Sequence, residues 1–160
     1  MSFKHQANPE KLHQRGLPKC NTNEEIALSM GISIEKLCFL AFKSITSPTV
    51  HYFRFQIPKK TGQDRMIYAP MPNLKAAQKW ILKNILEKLE VHEAAHGFQQ
   101  NRSIVTNAKP HVGADVILNI DLQNFFQAIS YKRIKSLFCE LGYSETAATI
   151  FGLICTVKYL

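Results

Sequence analysis

The stretch that most restricts the fold is ADVILNIDLQNFF, from Ala114 to Phe126. It is a nearly continuous apolar run, rich in Val and Ile and too short for a helix of its own. The pattern predicts a strand buried on both faces. Asp121 falls at the end of that run. An uncompensated charge there would be costly unless a cation or hydrogen bonds met it.

The segments around it have different periods. From Thr49 to Pro70, TVHYFRFQIPKKTGQDRMIYAP alternates aromatic and β-branched residues on both sides of KKTGQD, which predicts a β-hairpin with a basic tip. In NLKAAQKWILKNILEKLEV, Leu74, Ala77, Ile81, Ile85 and Leu89 recur at spacings of three and four. This predicts an amphipathic helix ending between His92 and Gly97, with Lys75, Lys79, Lys83 and Glu87 on other faces. Two further helices are expected, one from the cap Ser130 to the stop Gly142 and one from the cap Ser144. Upstream, NTNEEIALSMGISIEKLCFLAF predicts two short helices, with Asn or Thr capping the first, Gly31 stopping it and Ser33 capping the second. Their spacing resembles a helix-turn-helix, although any packed helical hairpin needs the same glycine turn. The first twenty residues carry Pro, Gly and charge without period and are expected to form an extended arm.

Twenty Lys and Arg against twelve Asp and Glu give a formal charge of +8, which favours a polyanion such as nucleic acid or an anionic surface, the alternative being a basic solvated surface with no partner. No apolar run approaches the roughly eighteen residues that cross a bilayer, and MSFKHQANPEKLHQRG has no apolar leader core, so the expected location is the cytoplasm. Cys20, Cys38, Cys139 and Cys155 are scattered without a C-x-x-C pair, which argues against a zinc ribbon or a disulfide framework. The last three sit among apolar residues and are expected to be buried.

One motif points elsewhere. His92-Glu93-Ala94-Ala95-His96 fits the H-E-x-x-H pattern of zinc proteases, in which two histidines one helical turn apart share a metal. Gly97 suggests that the helix stops there. The extended pattern would also need glycine where Gln99 stands, and no third ligand has a matching signature, so the match is read as coincidence.

For Asp121 the residues alone leave two readings: a hard oxygen ligand for Mg²⁺ at a strand end, or an N-cap for the following turn. Beyond them, four pieces occur in an order that resembles the N-terminal part of bacterial reverse transcriptases of the retron and group II intron type. They are IPKKTGQDRMIYAP, LKAAQKWIL, GFQQNRSIVTNAKPH and NIDLQNFFQAI. MGISIEKLCFLAF is similar to the segment preceding the fingers in retron enzymes, and the resemblance runs from about Gly31 to Thr156.

The resemblance implies an α+β fold with three parts. These are a helical N-terminal region over residues 1–48, a fingers subdomain over 49–114, and the start of an incomplete palm over 115–160. It implies that Asp121 is the first catalytic, Mg²⁺-binding aspartate and that the backbone carbonyl of Leu122 helps hold the nucleotide-side metal. Phe126 would lie under the sugar and favour deoxyribonucleotides. Arg65, with Lys59 or Lys60, would close on the triphosphate of the incoming dNTP. Gly97, Phe98, Arg102, Ser103, Asn107 and His111 match the motif beside the template strand, with structural roles as open as direct contacts.

The family's second catalytic motif, an aromatic residue followed by x-D-D, does not occur in the 160 residues, and neither does its Q-G-x-x-x-S-P loop. Asp64, Asp115 and Asp121 are the only aspartates. The expectation is a chain inactive alone: part of a split RNA-directed DNA polymerase completed by a second polypeptide, a truncated form of a longer one, or a non-catalytic module kept for binding nucleic acid. A structured RNA is the expected template, in a setting of phage defence or element mobility, and binding is expected to weaken steeply with salt.

Overall fold

The computed structural model describes residues 6–46 (43–46 by backbone only), 51–58, 62 and 64–157. It combines helices with one two-stranded sheet, an α+β fold. Contacts divide the chain into two compact units, one of Met1–Lys88 with Ile129–Leu160 and one of Leu89–Ala128.

The first unit begins with α1 (Pro9–Gln14), where an extended arm was expected. Asn8 accepts a hydrogen bond from the Lys11 amide, and Pro9 occupies the first turn, where its missing N–H is no loss. Six residues with a single buried apolar side chain, Leu12, are too few to show a helical period. Helix α2 (Asn23–Met30) starts from a reciprocal capping box between Thr22 and Glu25 and stops at Gly31 in the left-handed conformation. Ser33 accepts from the Lys36 amide at the start of α3 (Ile34–Thr46).

Strands β1 (Tyr52–Pro58) and β2 (Asp64–Pro70) pair antiparallel, in a register running from Tyr52 opposite Pro70 to Pro58 opposite Asp64. The expected hairpin is therefore present; of its basic tip, Lys59 and Lys60 lie outside the described residues. Helix α4 (Pro72–Asn84) buries Leu74, Ala77 and Ile81, and Ile85 follows them into the core. It ends earlier than its apolar spacing predicts. Asn84 turns its side-chain amide back onto the Trp80 carbonyl at 2.9 Å, and a 3-10 turn at Leu86–Lys88 replaces the next helical turn.

Helices α7 (Tyr131–Leu141) and α8 (Glu145–Cys155) start from Ser130 and Ser144, as the caps predict. α8 is apolar nearly all round and buries Ala147, Ala148, Ile150, Phe151 and Ile154. Such a helix belongs inside a bundle, and α8 packs against α2, α3, α4 and α7. Its end is tied to α4 by the Gln78 side chain, which donates to the Ile154 carbonyl at 2.9 Å.

Residues 8–22 clasp the α7–α8 turn. The Asn8 amide donates to the Gly142 carbonyl at 2.8 Å, the Ser144 amide donates to Asn21 Oδ1 at 2.9 Å, and Ser144 Oγ donates to the Asn21 carbonyl at 2.6 Å. Leu12, Leu17 and Cys20, all within this arm, are buried. Cys20 is thus the fully buried cysteine, whereas Cys38, Cys139 and Cys155 are only partly covered, the reverse of the expected order. Burial, and then the charge of Glu25, pushes the Cys20 thiol up to about 12, so it stays protonated and unreactive at neutral pH.

Gly142 makes the clasp possible. Its φ is +112°, and a Cβ there would lie 3.0 Å from the Asn8 carbonyl oxygen. Gly142→Ala is expected to cost about 1–3 kcal/mol through backbone strain and this clash. Denaturant unfolding measures it; a midpoint equal to that of the parent chain would refute the close approach.

Candidate functional site

In the Leu89–Ala128 unit the expected strand, buried on both faces, is not formed. Residues 115–122 have no regular secondary structure, and Val116, Ile117, Leu118, Ile120 and Leu122 are all exposed. A strand buried on both faces needs a ladder partner for its backbone groups and covering layers for its side chains. Among the described residues only β1 and β2 are strands, and they pair with each other.

Asp121 is therefore exposed rather than held at the end of a buried strand. The burial cost that first singled it out does not arise here. It is also not the cap of the next helix, because α6 (Phe125–Ala128) starts four positions later, after Asn124 at φ 53°. The Asp121 carboxylate and the Leu122 carbonyl are hard oxygen donors of the type Mg²⁺ accepts. No group of three His, Cys, Asp or Glu that could hold a metal occurs among the described residues.

Phe126 lies on α6, with its ring centroid 5.4 Å from Phe125 and 6.4 Å from Phe98, both edge-to-face. This grouping brings two separated motifs together. Neither Phe98 nor Phe125 could be assigned a contact from the sequence, and Phe98 stands in the left-handed region at φ 60°.

Ser103 caps α5 (Ile104–Ala108), where its hydroxyl accepts from the Thr106 amide and Thr106 Oγ1 accepts from the Ser103 amide. The Ser-x-x-Thr spacing carried that signal, a variant of the Ser/Thr-x-x-Glu box. Asn107 lies on α5 and its backbone N–H donates to the Ser103 carbonyl; His111 ends a 3-10 turn at Lys109–His111, and Arg102 precedes the cap. Arg102, Asn107 and His111 are exposed. Arg65 belongs to the other unit, on β2 opposite Ile57, and is also exposed.

The zinc-protease pattern has no helix beneath it. Residues 92–96 form a turn in which His92 Nδ1 accepts from the Ala94 amide at 3.2 Å and His96 Nδ1 lies 3.2 Å from the Ala94 carbonyl. The two histidines are therefore not one helical turn apart. No described helix is long and apolar enough to cross a membrane.

No protein-family model matches the chain. Individual proteins do. It is 42% identical over 147 residues to the Retron Mx162 reverse transcriptase of Myxococcus xanthus, covering 92% of this chain and 30% of that protein. To the Retron Mx65 reverse transcriptase of the same organism it is 36% identical over 146 residues, covering 91% and 34%. To the Retron Ec86 reverse transcriptase of Escherichia coli it is 36% identical over 155 residues, covering 96% and 47%. The chain is thus a homologue of bacterial reverse transcriptases. Those relatives are named retron enzymes, and the chain spans between 30% and 47% of their length.

Proposed function

We propose that this chain is the fingers and first palm portion of a retron-type RNA-directed DNA polymerase of the bacterial cytoplasm. It binds nucleic acid and contributes the first catalytic aspartate. The observation that carries the reading is relatedness to named reverse transcriptases over nine-tenths of the chain. The exposed apolar run before Asp121 supports its second half: a segment of that composition is suited to a sheet, and the strands to flank it would come from further palm sequence, in this polypeptide or a second one.

In this reading residues 49–114 are the fingers and 115–160 begin the palm. Arg65, with Lys59 or Lys60, offsets the triphosphate charge; a guanidinium can grip phosphate oxygens in pairs, and an ammonium can follow them as they move. Phe126, backed by Phe125 and Phe98, presents an aromatic surface to the sugar. Arg102, Asn107 and His111 offer polar contacts to the template, and Ser103 shapes the helix that carries Asn107. Asp121 and the Leu122 carbonyl would hold Mg²⁺, which when bound aligns the primer hydroxyl with the α-phosphate of a dNTP and offsets their charge.

The test is completion. The chain is combined with a polypeptide carrying the remaining palm and its x-D-D motif, and Mg²⁺-dependent dNTP incorporation is measured on a primed RNA template. Incorporation is expected from the pair and from neither part alone. RNA binding without incorporation in any such pair would replace this reading with that of a non-catalytic binding module.

A further inference from the structure

Helix α4 carries a cationic stripe that its packing does not use. Lys75, Lys79 and Lys83 follow one another at four-residue steps and are all exposed, while Leu74, Ala77 and Ile81 form the buried side. At about 1.5 Å rise and 100° per residue, the three ammonium groups stem from an arc of about 80° along about 12 Å of helix. That arc lies on the side away from the core.

No acidic residue occurs between Pro72 and Asn84 to balance them. Glu87 stands four positions after Lys83, but beyond the helix end, in the 3-10 turn. Among the described residues the one ion pair is Lys135 with Glu145, on α7 and α8. Like charges four residues apart weaken a helix, so the stripe opposes the stability of α4, and no ion pair offsets it among the described residues.

We propose that Lys75, Lys79 and Lys83 form a docking surface for the phosphodiester backbone of a folded RNA, separate from the residues assigned to nucleotide and template. For the class of partner this rests on the reverse-transcriptase reading; for its location it rests on α4 alone. Three lysines in a row match a row of phosphates in charge. Lysine, a point charge on a flexible stem without a planar fork, suits backbone contacts that hold an RNA in place without reading its bases. The chain's net charge of +8 adds long-range attraction.

The test uses the full chain and a fluorescently labelled RNA hairpin, titrated over a range of salt concentrations. The triple variant Lys75→Gln, Lys79→Gln, Lys83→Gln keeps good helix formers on the surface. It is compared with the charge-matched control Lys19→Gln, Lys36→Gln, Lys132→Gln, which neutralises exposed lysines elsewhere. Loss of three phosphate contacts is expected to reduce the slope of log affinity against log salt by about 2 to 3 and to weaken binding at least about tenfold at low salt. The control is expected to shift affinity slightly and leave the slope near its parent value.

Equal losses in both triples, or none in the α4 triple, would overturn the proposal. So would tighter binding to a DNA hairpin of the same sequence. The titration contains neither Mg²⁺ nor dNTP and reads binding alone. The outcome therefore stands apart from the completion test, which reads incorporation rather than binding.

Discussion

Asp121→Asn is expected to abolish Mg²⁺-dependent dNTP incorporation by the completed polymerase, by at least about a thousandfold, equivalent to about 4 kcal/mol of transition-state stabilisation. The substitution keeps the size of the side chain and removes its charge, and a neutral amide is a poor ligand for a hard dication. Because Asp121 is exposed and lies outside any regular element, the change carries little folding penalty. Lost activity would then report chemistry rather than unfolding. Single-turnover incorporation, alongside thermal melts of parent and variant, separates the two. Retention of more than a tenth of the parent rate, with melting unchanged, would remove Asp121 from the catalytic set.

Phe151→Ala is expected to destabilise the larger unit by about 3–5 kcal/mol. Phe151 is fully buried on α8, with ring centroids 5.1 Å from both Phe138 and Tyr143, so truncation opens a cavity where three aromatic rings meet. Against the roughly 5–15 kcal/mol typical of a folded domain, that loss is about a fifth or more of the total. The melting temperature should fall by roughly 10 °C or more. Phe98→Ala is the contrast, because Phe98 is 98% exposed and its loss should barely shift the transition. Similar effects of the two substitutions in circular-dichroism melts would contradict the placement of the core.

Local signals in the sequence located both ends of α2 and α7 and the starts of α3 and α8. Thr22, Gly31, Ser33, Ser130, Gly142 and Ser144 each act within four residues of themselves, through one side-chain hydrogen bond or one left-handed turn, so their identity is enough to find them. The hairpin was legible for a similar reason, since its alternation and its turn are contiguous. Cys20 and Leu12 were not, because their burial depends on the α7–α8 turn more than a hundred positions away.

The run before Asp121 shows another limit. Its composition describes what suits Val116 to Leu122, a sheet interior, whereas formation of a strand depends on partners that composition does not contain. The site was legible as an ordered set of motifs matched to a family. The grouping of Phe98 with Phe126 was not, because nothing in the spacing of Gly97-Phe98 and Phe125-Phe126 states that their rings meet. The end of α4 was misplaced because apolar spacing continued to Leu89 after the backbone had left the helix at Asn84.

The clasp between the arm and the α7–α8 turn has a consequence for how the protein is made. Asn21 and Ser144 are 123 positions apart, and the contacts that cover Leu12, Leu17 and Cys20 close only when both are present. At a synthesis rate of about 5–20 residues per second, the arm emerges from a ribosome roughly 6–25 s before its partner turn. During that interval its apolar side chains have no native cover. The two ends of this segment are thus obliged to join late, and folding of the larger unit cannot proceed strictly in the order of translation.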